Sequence, residues 1–182
     1  MGRIAHLPCC ERVAVDDAHA AQRLCRLLEH SARALGMSAP ATVLCIGTDR
    51  STGDALGPLV GTFLREQGFC GPVYGTLDEP VHAGNLEPLL REIRAREARG
   101  LLVAVDACLG RHDSVGSMTV GAGPLLPGAA VRKQLPPAGD LHLTGTVNVG
   151  GFMEYLVLQN TRLGLVVRMA RTMALALSAA FS

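Results

Sequence analysis

The alternation of short, unbroken apolar runs with stretches of helical periodicity is the feature that most constrains the fold of this chain. An apolar run without polar alternation is typical of a strand that is covered on both faces. Two such runs predict strands at 42–46 and 101–105, and a further short strand is predicted at 73–77. Apolar residues at helical spacing predict helices at about 18–35, 56–64 and 86–93. Strands that alternate with helices indicate a mostly parallel sheet with helices on both sides, which is a three-layer α/β/α fold.

The rest of the chain fits a single domain of this kind. Its 182 residues are enough to bury a substantial core, and we expect residues 1–15 to form a loose N-terminal arm. The glycines and prolines of 115–137 allow one or two short strands in a hairpin-like excursion, but no long helix. The segment LHLTGTVNVGG then leads into two helices, expected at about 152–159 and 163–180.

Composition excludes several classes of partner and compartment. The chain has 17 Lys and Arg against 16 Asp and Glu, which is too small an excess to bind a nucleic acid backbone. Its six cysteines include no C-x-x-C pair, so we expect reduced, mostly buried thiols. The N-terminus lacks the apolar stretch of a secretory signal, which predicts a cytoplasmic protein.

The apolar segment 163–181 raises the question of a membrane span. Arg168, Arg171 and Thr172 share one face of the predicted helix, so we expect an amphipathic helix packed on the domain and no membrane partner. The apolar composition is compatible with a homo-oligomer, although the sequence shows no apolar stripe that identifies an interface.

Polar side chains follow the predicted strands, where an open parallel sheet binds its ligands. The first strand is followed by a loop, and the second and third strands also end on acidic residues. A later segment, LHLTG, adds a histidine. The candidates for the site are Asp49, Thr52, Gly53, Asp54, Asp78, His82, Asp106 and His142.

Asp54 and Asp106 are the strongest of these candidates. Asp54 precedes a predicted helix, whose N-terminus would keep the carboxylate ionised, although a simple helix cap is the alternative interpretation. Asp106 ends an apolar strand, where a buried carboxyl tends to hold its proton. Two carboxyls in unlike environments can serve as base and acid at one site.

Other chemistries are less well supported. The glycine-bounded loop 47–53 has no Lys and so is not a phosphate-binding loop, and Cys108 is more simply a buried, unactivated thiol than a nucleophile. A divalent metal ion held by Asp54, Asp106 and His142 remains an alternative, since the three would supply two oxygen ligands and one nitrogen. No cofactor is otherwise required.

Four long motifs resemble the sporulation protein YyaC family, whose members are often labelled spore proteases. They are CIGTDRSTGDALGPLVG, YGTLDEPVHAGNLE, VAVDACLGR and LHLTGTVNVGGFMEYLVLQNTR. The wider resemblance is to the spore germination protease and to the hydrogenase maturation proteases, which share one α/β/α fold. It implies that Asp54, in STGDALGP, and Asp106, in VAVDA, are catalytic carboxylates, and that His142, in LHLTG, stands where a maturation protease has a nickel ligand.

Together these inferences predict an aspartate-dependent endopeptidase of sporulation. Asp54 would act as the base and Asp106 as the acid, with Thr52, Asn148 or backbone N–H groups near Gly53 stabilising the oxyanion. The substrate would be a protein or peptide of the sporulating cell or the spore interior, with small acid-soluble spore proteins as candidates. The alternative is a non-catalytic module on the same fold that binds a metal, peptide or protein and regulates sporulation.

Overall fold

A computed structural model describes residues 11–37, 40–96, 100–127 and 135–182. The strands are β1 (Arg12–Ala14), β2 (Ala41–Cys45), β3 (Val73–Tyr74), β4 (Leu101–Gly110), β5 (Ser117–Ala122) and β6 (Leu141–Val149). The helices are α1 (Ala20–Ala34), α2 (Leu56–Glu66), α3 (Leu86–Arg96), α4 (Glu154–Gln159) and α5 (Leu163–Phe181). Cys9, Cys10 and residues 128–134 of the predicted excursion lie outside the described residues.

The six strands form one mixed sheet in the order β1-β5-β6-β4-β2-β3. Strands β3, β2, β4 and β6 are mutually parallel, whereas β5 runs antiparallel to both of its neighbours. All five residues of β2 are buried, as expected for a central strand with helices on both faces. The mostly parallel sheet predicted from the sequence is therefore confirmed.

Helices cover both faces of the sheet. On one face, the apolar sides of α1, α2 and α5 form a large core with strand residues such as Val43, Val103 and Leu143. On the other face, α3 packs its buried residues Leu86, Leu90 and Ile93 against the alternate residues of β2 and β4. The result is the three-layer α/β/α arrangement, with a different hydrophobic core on each side of the sheet.

Helix α5 is long and apolar enough to cross a membrane by length and composition alone. In this fold it packs against α1 and α2 and buries eight of its residues, among them Met169, Met173 and Leu177. On its polar side, Arg168 forms an ion pair with Asp16 at 2.6 Å. Such a helix, buried on one side and charged on the other, fits the amphipathic interpretation of the sequence.

The structure corrects three expectations about the strands. Residues 12–14 of the predicted loose arm form the edge strand β1. The segment LHLTGTVNVGG, expected only to precede helices, contains β6, which lies between β4 and β5. The third predicted strand does not end at Asp106, because β4 continues to Gly110 alongside β6 after its pairing with β2 has stopped at Val105.

Candidate active site

A cavity of about 370 Å³ opens at the carboxyl end of β2 and β4. The loop after β2, the second half of β4 and helix α4 contribute to its walls, as does the chain that follows β5. This is the edge of the sheet where ligands are expected in an open α/β fold. Its lining residues are Ile46, Gly47, Thr48, Asp54, His82, Ala83, Asp106, Ala107, Cys108, Leu109, Leu125, Leu126, Pro127, Leu135, Thr144, Glu154, Tyr155 and Leu158.

Asp106 lies on β4 one residue beyond the last pair with β2, so one side of the strand is open to the cavity there. Across the other side, it pairs with Thr144 of β6. Burial among protein atoms raises the pKa of Asp106 to about 8. The N–H of Ala107 donates a hydrogen bond to Asp106 Oδ1 at 2.8 Å, which opposes this rise, and the charge of Asp54 adds to it. Asp106 is therefore protonated at neutral pH, although its side chain keeps partial contact with solvent through the cavity.

Asp54 reaches the same cavity from the loop between β2 and α2. The N–H of Thr48 donates to the Asp54 carbonyl at 3.2 Å, which folds the loop back on itself. Gly47 is required at this turn, because it has a φ of +149° and an added Cβ would lie 2.0 Å from the same carbonyl oxygen.

The Asp54 carboxyl does not cap helix α2. The N-cap position is Ala55, and no side chain bonds to the helix end. Burial raises the pKa of Asp54, and the nearby hydroxyl of Ser51 opposes that rise. The expected contact between this carboxyl and the helix end is therefore not formed, and burial raises the pKa of both Asp54 and Asp106.

Ser51 adds an unusual feature beside Asp54. Its side chain is 5% exposed, and its Oγ has no partner that meets hydrogen-bond geometry within the described residues. The hydroxyl nevertheless lowers the pKa of Asp54, which places it close enough to interact with that carboxyl.

His142 does not join the two aspartates. It lies on β6, opposite Gly121 of β5, and its Nδ1–H donates to the carbonyl of Gly123 at 3.0 Å. An added Cβ at Gly121 would lie 2.3 Å from Nε2 of this ring, so the imidazole fills the space that the glycine leaves. His142 is not among the lining residues, and the described residues contain no group of three or more His, Cys, Asp or Glu side chains placed to hold a metal ion.

Of the other predicted binding residues, His82 lies at the cavity. Its ring Nδ1 accepts a hydrogen bond from the N–H of Gly84 at 3.1 Å, which leaves Nε2 to carry a proton in the neutral ring. Asp49 and Asp78 are exposed, and they do not line the cavity, nor does Thr52.

Gly53 and Asn148 hold helix α4 in place and are not free to bind an oxyanion. The N–H of Gly53 donates to the carbonyl of Leu158 at 2.9 Å, and an added Cβ there would lie 2.7 Å from Leu158 Cδ2. The amide of Asn148 donates to the carbonyl of Val157 and to Thr161 Oγ1, each at 3.2 Å. The Gly53 contacts hold α4 against the loop that carries Asp54, and the Asn148 bonds hold the end of α4 against β6.

Sequence reasoning missed the contribution of α4 and of two threonines. Glu154, Tyr155 and Leu158 line the cavity from α4, and Thr48 and Thr144 line it from the loop after β2 and from β6. The Cys108 thiol also lies there, and burial raises its pKa, so it remains a protonated thiol and not a nucleophile. The sequence predicted the helix at 152–159 but carried no signal for the face that it turns to the cavity.

Comparison with solved structures finds a protein of similar fold. The crystal structure of the [NiFe] hydrogenase maturation protease HycI from Thermococcus kodakarensis KOD1 matches with a TM-score of 0.55, covering 81% of this chain and 94% of that one. The two sequences are 19% identical, so this likeness shows a shared fold and confirms the hydrogenase-maturation-protease-like architecture expected from the motifs.

Sequence comparison identifies the family. The uncharacterized protein YyaC of Bacillus subtilis (strain 168) is 53% identical over 163 residues, which is 89% of this chain and 79% of that protein. The model of a family described as a protein of unknown function, DUF1256, matches residues 12–176. The match takes in every strand and helix of the domain except the last turns of α5, and the chain therefore belongs to the DUF1256 family, with YyaC as a relative.

Proposed function

We propose that this protein is an endopeptidase in which Asp54 and Asp106 act on one peptide bond as base and acid. The observation that carries the proposal is the placement of two carboxyl groups in one partly accessible cavity at the carboxyl end of the sheet. Their electrostatic coupling supports it, because the charge of Asp54 helps to keep Asp106 protonated at neutral pH. The shared fold with HycI, a protein named as a protease, is consistent with this role.

The chemistry follows from the two protonation states. Protonated Asp106 donates a hydrogen bond to the oxygen of the scissile carbonyl and polarises it. Ionised Asp54 accepts a proton from a water molecule as the water oxygen bonds to the carbonyl carbon. The amide nitrogen takes that proton as its bond to carbon breaks, which returns Asp54 to the carboxylate and leaves Asp106 protonated. Thr48 and Thr144 line the cavity and are our candidates for binding the developing oxyanion.

A divalent ion is the alternative catalyst that the sequence raised, and the described residues do not fit it. His142, the proposed nitrogen ligand, is bonded to Gly123 and does not line the cavity, and no three-ligand group exists among the residues described. Asp54 and Asp106 alone would leave most positions of an ion to water or substrate. No step of the proposed mechanism is therefore assigned to a metal.

We further propose that the substrate is a protein or peptide of the sporulating cell or spore interior. This setting rests on the resemblance of the motifs around Asp54 and Asp106 to those of the YyaC family and the germination protease. Small acid-soluble spore proteins are accordingly the first substrates to test. We propose that the enzyme acts in the cytoplasm, without a nucleic acid or membrane partner, and binds these proteins directly.

The experiment combines the purified protein with acid-soluble spore proteins or casein at pH 7 and identifies new peptide termini by mass spectrometry. We expect cleavage that falls by about 10²–10⁴-fold in Asp54→Asn and Asp106→Asn. Asp78→Asn is the matched control, because Asp78 is exposed and lies outside the cavity. Absence of new termini, or an Asp106→Asn variant as active as the natural protein, would overturn the proposal, and binding without cleavage would favour the regulatory module.

A further inference from the structure

We propose that the cavity selects an uncharged, apolar side chain next to the scissile bond, within a peptide that continues on both sides of it. This inference rests on the proposed function and names the substrate class for the same site. The juxtaposition that carries it is a pair of carboxyl groups facing an apolar wall from two separate parts of the chain.

The apolar wall has two sources. Leu125, Leu126, Pro127 and Leu135 come from the chain between β5 and β6, and Tyr155 and Leu158 come from α4. A wall of this kind takes up apolar groups through the hydrophobic effect and offers few hydrogen bonds to a polar side chain. It lies in the same cavity as Asp54 and Asp106, so a side chain bound there would bring its own peptide bond near the carboxyls.

The charges of the cavity restrict the occupant further. The ionisable side chains that line it, among the residues described, are Asp54, Asp106 and Glu154, together with His82, Tyr155 and the Cys108 thiol, and none of these described lining residues is Lys or Arg. A free C-terminal carboxylate or an acidic side chain would therefore meet the negative groups Asp54 and Glu154. The cavity consequently favours the interior of a peptide over its C-terminal end, and an apolar residue over an acidic one.

Two of the lining residues are largely exposed. Leu126 is 71% exposed and Tyr155 is 66% exposed. A single exposed apolar residue is ordinary, but two that line the same apolar cavity are typical of a ligand-binding surface. At about 370 Å³, the cavity lies at the small end of ligand pockets, which suits a short extended segment and not a folded domain.

Binding is measured with Asp106→Asn protein, so that no turnover interferes. The probes are fluorescent, end-capped peptides of sequence Gly-Ala-Ala-X-Ala-Ala-Gly in which X is Leu, Phe, Gly, Lys or Asp. We expect the Leu and Phe peptides to bind at least about 10-fold more tightly than the Gly and Asp peptides. Leu126→Ser and Tyr155→Ser should each remove a large part of that preference.

Leu163→Ser is the matched control, because Leu163 is 58% exposed on α5 and does not line the cavity. Equal affinity for all five peptides, tighter binding of the Asp peptide, or an equal loss in Leu163→Ser would overturn the inference. Preferential binding of the Leu peptide with no products from the natural protein would contradict the proposed peptidase and leave the apolar site standing. Cleavage by the natural protein without any preference at X would contradict the apolar site and leave the proposed peptidase standing.

Discussion

The negative charge of Asp54, in the loop after β2, raises the pKa of Asp106, in the middle of β4. Both side chains line one cavity, so two carboxyls distant in the sequence act on each other electrostatically. The relationship exists because β2 ends at Cys45, one residue short of the level of Asp106, and leaves room for the loop that returns with Asp54. Its consequences can be measured in stability, in ionisation and in catalysis.

Asp106→Asn should stabilise the protein above neutral pH. The folded state holds the Asp106 proton up to a pKa of about 8, whereas the unfolded chain releases it near 3.8, so the free energy of unfolding of the natural protein falls as the pH rises between these values. The amide of the variant has no proton to release, so its free energy of unfolding does not fall in this way. We expect the free energy of unfolding of the variant to exceed that of the natural protein by roughly 2–5 kcal/mol at pH 8. Urea unfolding of both proteins at pH 5 and pH 8 measures this difference, with Asp78→Asn as the control. If the pH dependence of stability is the same in Asp106→Asn as in the natural protein, the expectation is refuted.

Ser51→Ala should raise the pKa of Asp54, because the Ser51 hydroxyl is the group that lowers it. The variant also removes a buried Oγ that has no geometric partner, so its unfolding free energy should change by less than about 1 kcal/mol. Carbon-13 NMR titration of the aspartate carboxyls measures the first effect and urea unfolding the second. Thr52→Ala, one position further, is the control, and an Asp54 pKa that is equal in both variants would contradict the assignment.

Gly53→Ala should displace α4 and weaken the site. Its Cβ would lie 2.7 Å from Leu158 Cδ2 and 3.1 Å from the Leu158 carbonyl oxygen, so we expect a loss of about 1–3 kcal/mol in unfolding free energy together with reduced peptide binding. Gly164→Ala on α5 is the matched control, since no atom lies within 4 Å of its added Cβ, and it should stabilise by about 0.5–1 kcal/mol. Equal stability of the two variants would show that the Gly53–Leu158 contact is unimportant.

The pH dependence of peptide cleavage should be bell-shaped. Activity requires Asp106 protonated, so kcat/KM should fall as the pH rises through about 8. It also requires Asp54 ionised, so the acidic limb should lie above the ordinary value of 3.8, in the direction that burial shifts this pKa. Initial rates from pH 4 to pH 10 test both limbs, and a rate that keeps increasing above pH 9 would assign the acid role to another group.

The sequence was sufficient for the central part of the fold. The run 101–105 is fully apolar, and the run 42–46 is apolar apart from Thr42. These runs predicted the buried parallel strands β2 and β4 and the edge where the site lies. Strand β6 was missed although its residues alternate, with Leu141 and Leu143 buried and His142 and Thr144 only half-buried. This period of two is visible in the sequence, but the glycine and threonine residues of the segment favoured its interpretation as a loop.

The site was predictable in part, and the remainder depends on tertiary packing. The strand-end rule selected Asp54 and Asp106 without knowledge of their distance, but it also selected Asp49 and Asp78, which are exposed outside the cavity. The role of α4 could not be predicted, because it follows from the contact of Leu158 with Gly53, more than a hundred residues away in the chain. His142 was selected from its place in the LHLTG motif, but its ring donates to the carbonyl of Gly123 and does not line the cavity.

The most direct test of the account is the pKa of Asp106, measured by carbon-13 NMR titration in the natural protein and in Asp54→Asn. We predict a value near 8 in the natural protein and a lower value in the variant, since the charge that raises it is gone while burial remains. A pKa near 4 in the natural protein, or the same value in both proteins, would contradict the claim that the two carboxyls form one coupled pair.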